Sequence, residues 1–234
     1  MTHPHQLHAL AAAWSLHHAL TVLEEWARDW GDTTTTDVSI PSQVFGRRTA
    51  LGGHGDPTAA AALGAWAPGT PNPHAALLGD MMRELDALAA HLPGAPGQDP
   101  LARIRARIPA MRPHVAARTR HALQHLDGKV RDRLNLGPDL THVPGECPAC
   151  HARGVLYAHT TDPARPIVCG AGCRCAGDGC PCGMPVRAEG VEHIWGPGTP
   201  LWDGLARPVV ARDQPTAAAP ADIQDIALPE QVAP

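Results

Sequence analysis

The chain has 234 residues, of which 44 % are hydrophobic but only 3 % aromatic, and its formal charge is -4. That length suits one domain or two, and the net charge excludes binding to nucleic acid through bulk positive charge. No run approaches the roughly 18 apolar residues that span a bilayer. The start MTHPHQLHAL has neither the basic residues nor the apolar stretch of a secretory signal. The expected setting is therefore cytoplasmic and reducing, where clustered cysteines mark metal more often than disulfides. Lys129 is the one lysine among the 19 basic residues, an arginine bias that suggests a GC-rich coding source.

From about His5 to Trp30, Leu7, Leu10, Trp14, Leu20, Leu23, Ala27 and Trp30 recur every three or four residues, which predicts one helix with a single buried stripe. Gly31 supplies a stop. His3, His5, His8, His17 and His18 have no cysteine or carboxylate close enough in sequence to complete a metal site, so they are expected at the surface. Residues 31–56 read as a loop, and Asp56-Pro57-Thr58 as the start of a short helix, with Asp as cap and Pro at the first position. The glycines before it lack the Gly-Lys-Ser/Thr that a phosphate loop requires. Asn72-Pro73 repeats the cap signal, and Leu78, Met81, Leu85, Leu88 and Leu92 make the next stripe. Asp99-Pro100 opens a third helical stretch, which Pro109 and Pro113 kink or restart and Gly137-Pro138 ends.

This third stretch carries the charge asymmetry of the chain. Residues 100–135 hold nine basic side chains against two acidic ones, a net +7 that leaves -11 for the rest. The nine are Arg103, Arg105, Arg107, Arg112, Arg118, Arg120, Lys129, Arg131 and Arg133. A helix this basic can lie along a phosphate backbone. It can equally pair with the acidic remainder of the molecule, and Arg103, Arg105 and Arg107 alternate, so they cannot share one narrow face.

All seven cysteines lie between Cys147 and Cys182. A thiol is small and apolar enough for any core, so confinement to one window means that the sulfurs serve each other. Cys147-Pro-Ala-Cys150 has the two-residue spacing that turns both sulfurs toward one tetrahedral ion. Val155 to His159 and Ile167 to Cys169 read as two strands of a hairpin that returns Cys169 to that pair. Seven cysteines exceed one four-ligand site, and His193 makes eight donors. The expected partition gives Cys147, Cys150, Cys169 and Cys173 to one zinc ion, and Cys175, Cys180, Cys182 and His193 to a second. A thiolate-bridged cluster, a single zinc with three spare thiols, and iron–sulfur ligation fit the same spacing. Such closed sites are structural and fold a module too small for a core of its own. Arg153, Arg165, Arg174 and Arg187 are near enough in sequence to offset the thiolate charge.

Catalytic patterns are missing from the sequence. No His-x-Glu accompanies Pro148-Ala149-Cys150, as a zinc deaminase would need, and no His-Glu-x-x-His occurs. Residues Asp139 to Pro144, with His142, distantly suggest the hairpin of an HNH-like nuclease, but the later Asn and His of that motif are missing.

The run CPAC, VC, C-x-C, CPC, EHIW and LW resembles the C-terminal module of small proteins from phages and prophages of high-GC Gram-positive bacteria. The likeness covers roughly residues 40–70 and 142–205, including Gly52-Gly53 and Asp56-Pro57-Thr58. It implies a non-enzymatic, metal-stabilised accessory protein of a group mostly of unassigned function or loosely described as DNA-binding. The expected architecture is mainly α: a helical domain over residues 1–138, a Cys-rich zinc-ribbon-like β-hairpin module over 139–205, and a disordered tail over 206–234. The expected role is a zinc-stabilised nucleic-acid-binding or transcription-accessory protein, with the nine basic residues on phosphate and Trp195 or Trp202 offered for stacking or partner contact, while at least one of the two is expected to pack over the metal module instead. The alternative is an adaptor that docks on another protein through the ribbon. Neither a membrane nor a small-molecule substrate is expected as a partner.

Overall fold

The computed structural model describes residues 2–32, 71–94, 97–184, 186 and 188–205. Of the loop expected over residues 31–56, residues 31 and 32 are helical instead; its remainder, the capped helix that follows it, and the tail from residue 206 lie outside the described residues. Four helices, α1 (Pro4–Asp32), α2 (Pro73–Ala89), α3 (Pro100–Arg107) and α4 (Pro113–Leu134), make up about half of what is described. They are followed by a four-stranded antiparallel sheet in the order β1-β2-β3-β4, with β1 Leu140–Val143, β2 Leu156–His159, β3 Ile167–Cys169 and β4 Ile194–Trp195. The fold is thus helical and sheet-bearing in sequence, rather than helical with a single hairpin.

Local chemistry sets the helix starts. The Asn72 side chain accepts from the N–H groups of His74 and Ala75, and Asp99 does the same for Leu101 and Ala102, each with Pro at the first helical position. Asn72 also donates to the Ala27 carbonyl at 2.7 Å, which ties the start of α2 to α1. At α1 the Gln6 side chain accepts from His3 N–H at 2.7 Å, half of a capping box. The Gln6 amide then donates to the carbonyls of Pro109 (3.0 Å) and Met111 (2.7 Å) and so holds the turn between α3 and α4. The two prolines there restart the helix through a 3-10 turn at Ile108–Ala110. Gly31 does not stop α1, and α4 ends before Gly137, where Asn135 adopts the left-handed conformation (φ 51°) and its N–H caps Arg131 and Asp132 carbonyls.

The buried stripe of α1 keeps Leu20 and Leu23 of the expected one but otherwise shifts to another face. Ala9, Ala12, Ala13, Leu16, Ala19, Leu20 and Leu23 are buried, while Leu7, Leu10 and Trp14 are only partly so. Alanine has a weak hydropathy signal, but its small side chain lets helix backbones approach closely. This face therefore packs on α4, against Ala116, Leu123, Leu126 and Val130. One polar link crosses the same interface. Ser15 donates to Asp127 at 2.8 Å, and Arg131 grips Asp127 and the Ser15 hydroxyl at 2.9 to 3.0 Å.

The sheet has its own core, of Val143, Leu156, Ala158, Ile167, Trp195 and the buried cysteines. β1 pairs with β2 from Leu140 opposite His159 to Val143 opposite Leu156, and β4 adds to β3 with Ile167 opposite Trp195. The first strand of the predicted hairpin begins one residue late, at Leu156. The strands β1 and β4 extend that hairpin on both sides, and β4 lies against α1.

Candidate metal centre

The Cys147–Cys150 knuckle is closed by backbone bonds, from Cys147 N–H to Ala152 (3.0 Å) and from His151 N–H to the Cys147 carbonyl (2.8 Å), with His151 at a φ of 58°. Cys169 ends β3. The Gly172 N–H bonds back to the Cys169 carbonyl, and this turn places Cys173 beside Cys147. Their sulfurs lie 3.6 Å apart, and those of Cys150 and Cys169 lie 3.8 Å apart. Further on, the backbone of Cys173–Cys175 runs antiparallel to Val191–His193: Cys175 N–H bonds to Val191, and His193 N–H bonds to Cys173. This second ribbon gathers Cys175, Cys180, Cys182 and His193.

The structure therefore forms two donor sets, Cys147/Cys150/Cys169/Cys173 and Cys175/Cys180/Cys182/His193, each with its ligand atoms within 4.8 Å of one another. Either set can hold a metal ion. A tetrahedron with metal–sulfur bonds of about 2.3 Å has sulfur–sulfur edges of about 3.8 Å. The pairs in the first set, and the 4.0 Å between Cys175 and Cys182, match that edge. The Cys180 sulfur stands 3.4 Å from His193 Nε2, close to the sulfur–nitrogen edge of about 3.6 Å expected with metal–nitrogen bonds near 2.0–2.1 Å.

The protonation energetics favour the same chemistry. Burial pushes the thiols of Cys147 and Cys173 up, and that of Cys182 to about 11 with neighbouring thiols adding to the effect. Burial also opposes ionisation of Cys180, but backbone hydrogen bonds and the His193 imidazole outweigh it and hold its thiol at about 6. A divalent cation held among these sulfurs favours the thiolate form that burial opposes at Cys147, Cys173 and Cys182.

Trp195 and Trp202 take inward roles. Trp195 is fully buried, stacks on His193 (5.6 Å between centroids, 16° between planes) and donates its indole N–H to the Cys182 carbonyl at 2.6 Å. It is not available for base stacking. Trp202 is partly buried and donates to the carbonyls of Ala164 and Arg165. His142 lies exposed on β1, edge-on to Tyr157, and belongs to neither donor set. Arg153 is directed at Glu146 (3.3 Å), Arg174 is exposed, and Arg187 lies outside the described residues.

Nothing in the residue pattern signals how the helices grip this module. His8, expected at the surface, is buried and bonded through Nε2 to the Glu192 carbonyl at 3.0 Å. Arg120 reaches the Glu192 carboxylate at 2.5 Å. The residue before His193 is thus held from both α1 and α4. Beside it lies a cleft of about 450 Å³ between helices and sheet, lined by His8, Arg120, Asp127, Asp139, His159 and Glu192 among others. Burial pushes the Asp139 carboxyl up, but His159 and the hydroxyls of Thr160 and Thr161 outweigh it and hold it at about 2.

The nine basic residues divide. Arg105 lies 3.8 Å from the Trp14 ring centroid, Arg120 and Arg131 are paired as described, and Lys129 meets Glu84 at 2.8 Å. Arg103 is half-buried, while Arg107, Arg112, Arg118 and Arg133 are exposed. Among the described residues, no helix is long and apolar enough to cross a membrane. No family model, curated protein or solved structure matches the chain, so its likeness to known proteins assigns it no family.

Proposed function

We propose that the protein is a zinc-stabilised, non-enzymatic nucleic-acid-binding protein, in which the two cysteine sets are structural and α4 provides the contact surface. Zinc suits donor sets of four thiolates, or of three thiolates and one imidazole, at tetrahedral spacing. Both sets supply four protein donors, which leaves no coordination position for a substrate. The observation that carries the binding reading is a row of exposed residues on α4. His114, Arg118, His121, His125, Lys129 and Arg133 recur every three or four residues along one side, with Arg112 at its start. At 1.5 Å per residue such a row runs for about 28 Å, long enough to follow several phosphates. Arg105, Arg120 and Arg131, which are half-buried and engaged inside the molecule, are left out of this surface; Lys129 stays in the row because it is exposed, although it also meets Glu84.

The test is fluorescence anisotropy of a random-sequence DNA duplex against the zinc-loaded protein at low and moderate salt. Affinity should fall as salt rises, since each phosphate contact releases counterions. Replacing Arg112, Arg118 and Arg133 together by Ala should weaken binding at least tenfold without changing zinc content. Failure to bind at low salt would overturn this reading in favour of the protein adaptor.

A further inference from the structure

His193 faces both donor sets. Its Nε2 lies 3.4 Å from the Cys180 sulfur, within its own set, and its Nδ1 lies 3.0 Å from the Cys173 sulfur of the other. The ring is 1 % exposed, its plane is fixed by the stack on Trp195, and its backbone N–H is bonded to the Cys173 carbonyl at 3.2 Å. We infer that His193 couples the two metal sites, its Nε2 ligating the second ion while its Nδ1–H donates to the Cys173 thiolate on the first. This inference rests on the metal-centre reading given above.

The proton count supports it. A neutral imidazole carries one ring proton, so coordination through Nε2 leaves that proton on Nδ1. Four thiolates already complete the first ion, so Nδ1 is not needed there as a fifth ligand. The separation of 3.0 Å is also shorter than the sulfur–nitrogen edge of about 3.6 Å around a shared zinc, and suits a charge-assisted N–H to thiolate bond. A site of four thiolates and one divalent ion has a formal charge of -2, and a donor to one sulfur draws some of that charge away. Metal-bound histidines ordinarily give their second N–H to a carboxylate or a carbonyl. Here the acceptor is a ligand of the neighbouring ion. Loading the second site fixes the tautomer that stabilises the first, and by reciprocity the first favours the second.

The variant that isolates the coupling is His193→Cys, which keeps four ligands for the second ion but removes the ring N–H. Metal-free full-length protein would be titrated anaerobically with cobalt(II), following the ligand-field and thiolate charge-transfer bands, with a competing chelator to fix affinities. The native protein should take two ions that load together. His193→Cys should still take two, but independently, with the affinity of the first site lowered about 10–100-fold. In the zinc-loaded native protein, nitrogen-15 NMR should place the ring proton on Nδ1, a reading that does not depend on the variant folding. Unchanged first-site affinity in His193→Cys, or a ring proton on Nε2, would overturn the coupling alone. Fewer than two ions in the native protein would overturn the two-site reading itself.

Discussion

His8 should make stability depend on pH. Burial, with the Arg120 charge adding to it, lowers its pKa from 6.5 to about 3 despite the bond to Glu192. The neutral ring donates through Nε2 to the Glu192 carbonyl, and a second proton would add a charge in a site that is 6 % exposed. Between those two pKa values the unfolded chain binds the proton and the native protein does not. Stability is therefore full above about pH 6.5 and is lost as pH falls through the window toward 3. From pH 7.5 to 5.5 the loss due to this one group is about 1.4 kcal/mol. His8→Gln keeps a donor of similar reach with no titration. Urea unfolding of both zinc-loaded proteins at the two pH values gives the comparison, and the acid sensitivity of the thiolates is common to both. The native protein should lose about 1.4 kcal/mol more than the variant. Equal losses would refute the buried neutral histidine.

Two further substitutions test the packing of the helices. Leu16→Ala removes a fully buried side chain from the α1–α4 interface and should cost about 2–5 kcal/mol in urea unfolding; a cost near zero would mean that the buried stripe is elsewhere on α1. Gln6→Leu removes the partners of the Pro109 and Met111 carbonyls and of His3 N–H, and should cost about 2–4 kcal/mol. A melting temperature within a degree of the native value would show that the turn between α3 and α4 holds without it.

Features that depend on neighbours in sequence were legible before the fold was known. Asn72-Pro73 and Asp99-Pro100 announced helix starts because a cap needs only its own next three residues. The cysteine spacing pointed to sites able to hold metal because the two-residue knuckle between Cys147 and Cys150 is itself a short-range geometry, and the two donor sets are the ones the order of ligands suggested.

Contacts between distant parts of the chain had no such signal. Which face of α1 is buried depended on α4, more than a hundred residues later, against which four alanines pack as well as the leucines. β1 and β4 are strands only because the β2–β3 hairpin offers them edges. His8 reads as one more histidine in a histidine-rich helix until Glu192 closes over it, and the choice between a packed and a presented Trp195 is decided only where its ring stacks on His193. The double role of His193 follows from the second ribbon turning it between the two cysteine sets, a placement decided by packing and backbone pairing rather than by spacing. Sequence alone determined that this protein gathers sulfur donors at a spacing that can hold metal. Tertiary structure decided which atoms meet, because burial and pairing are properties of the whole chain.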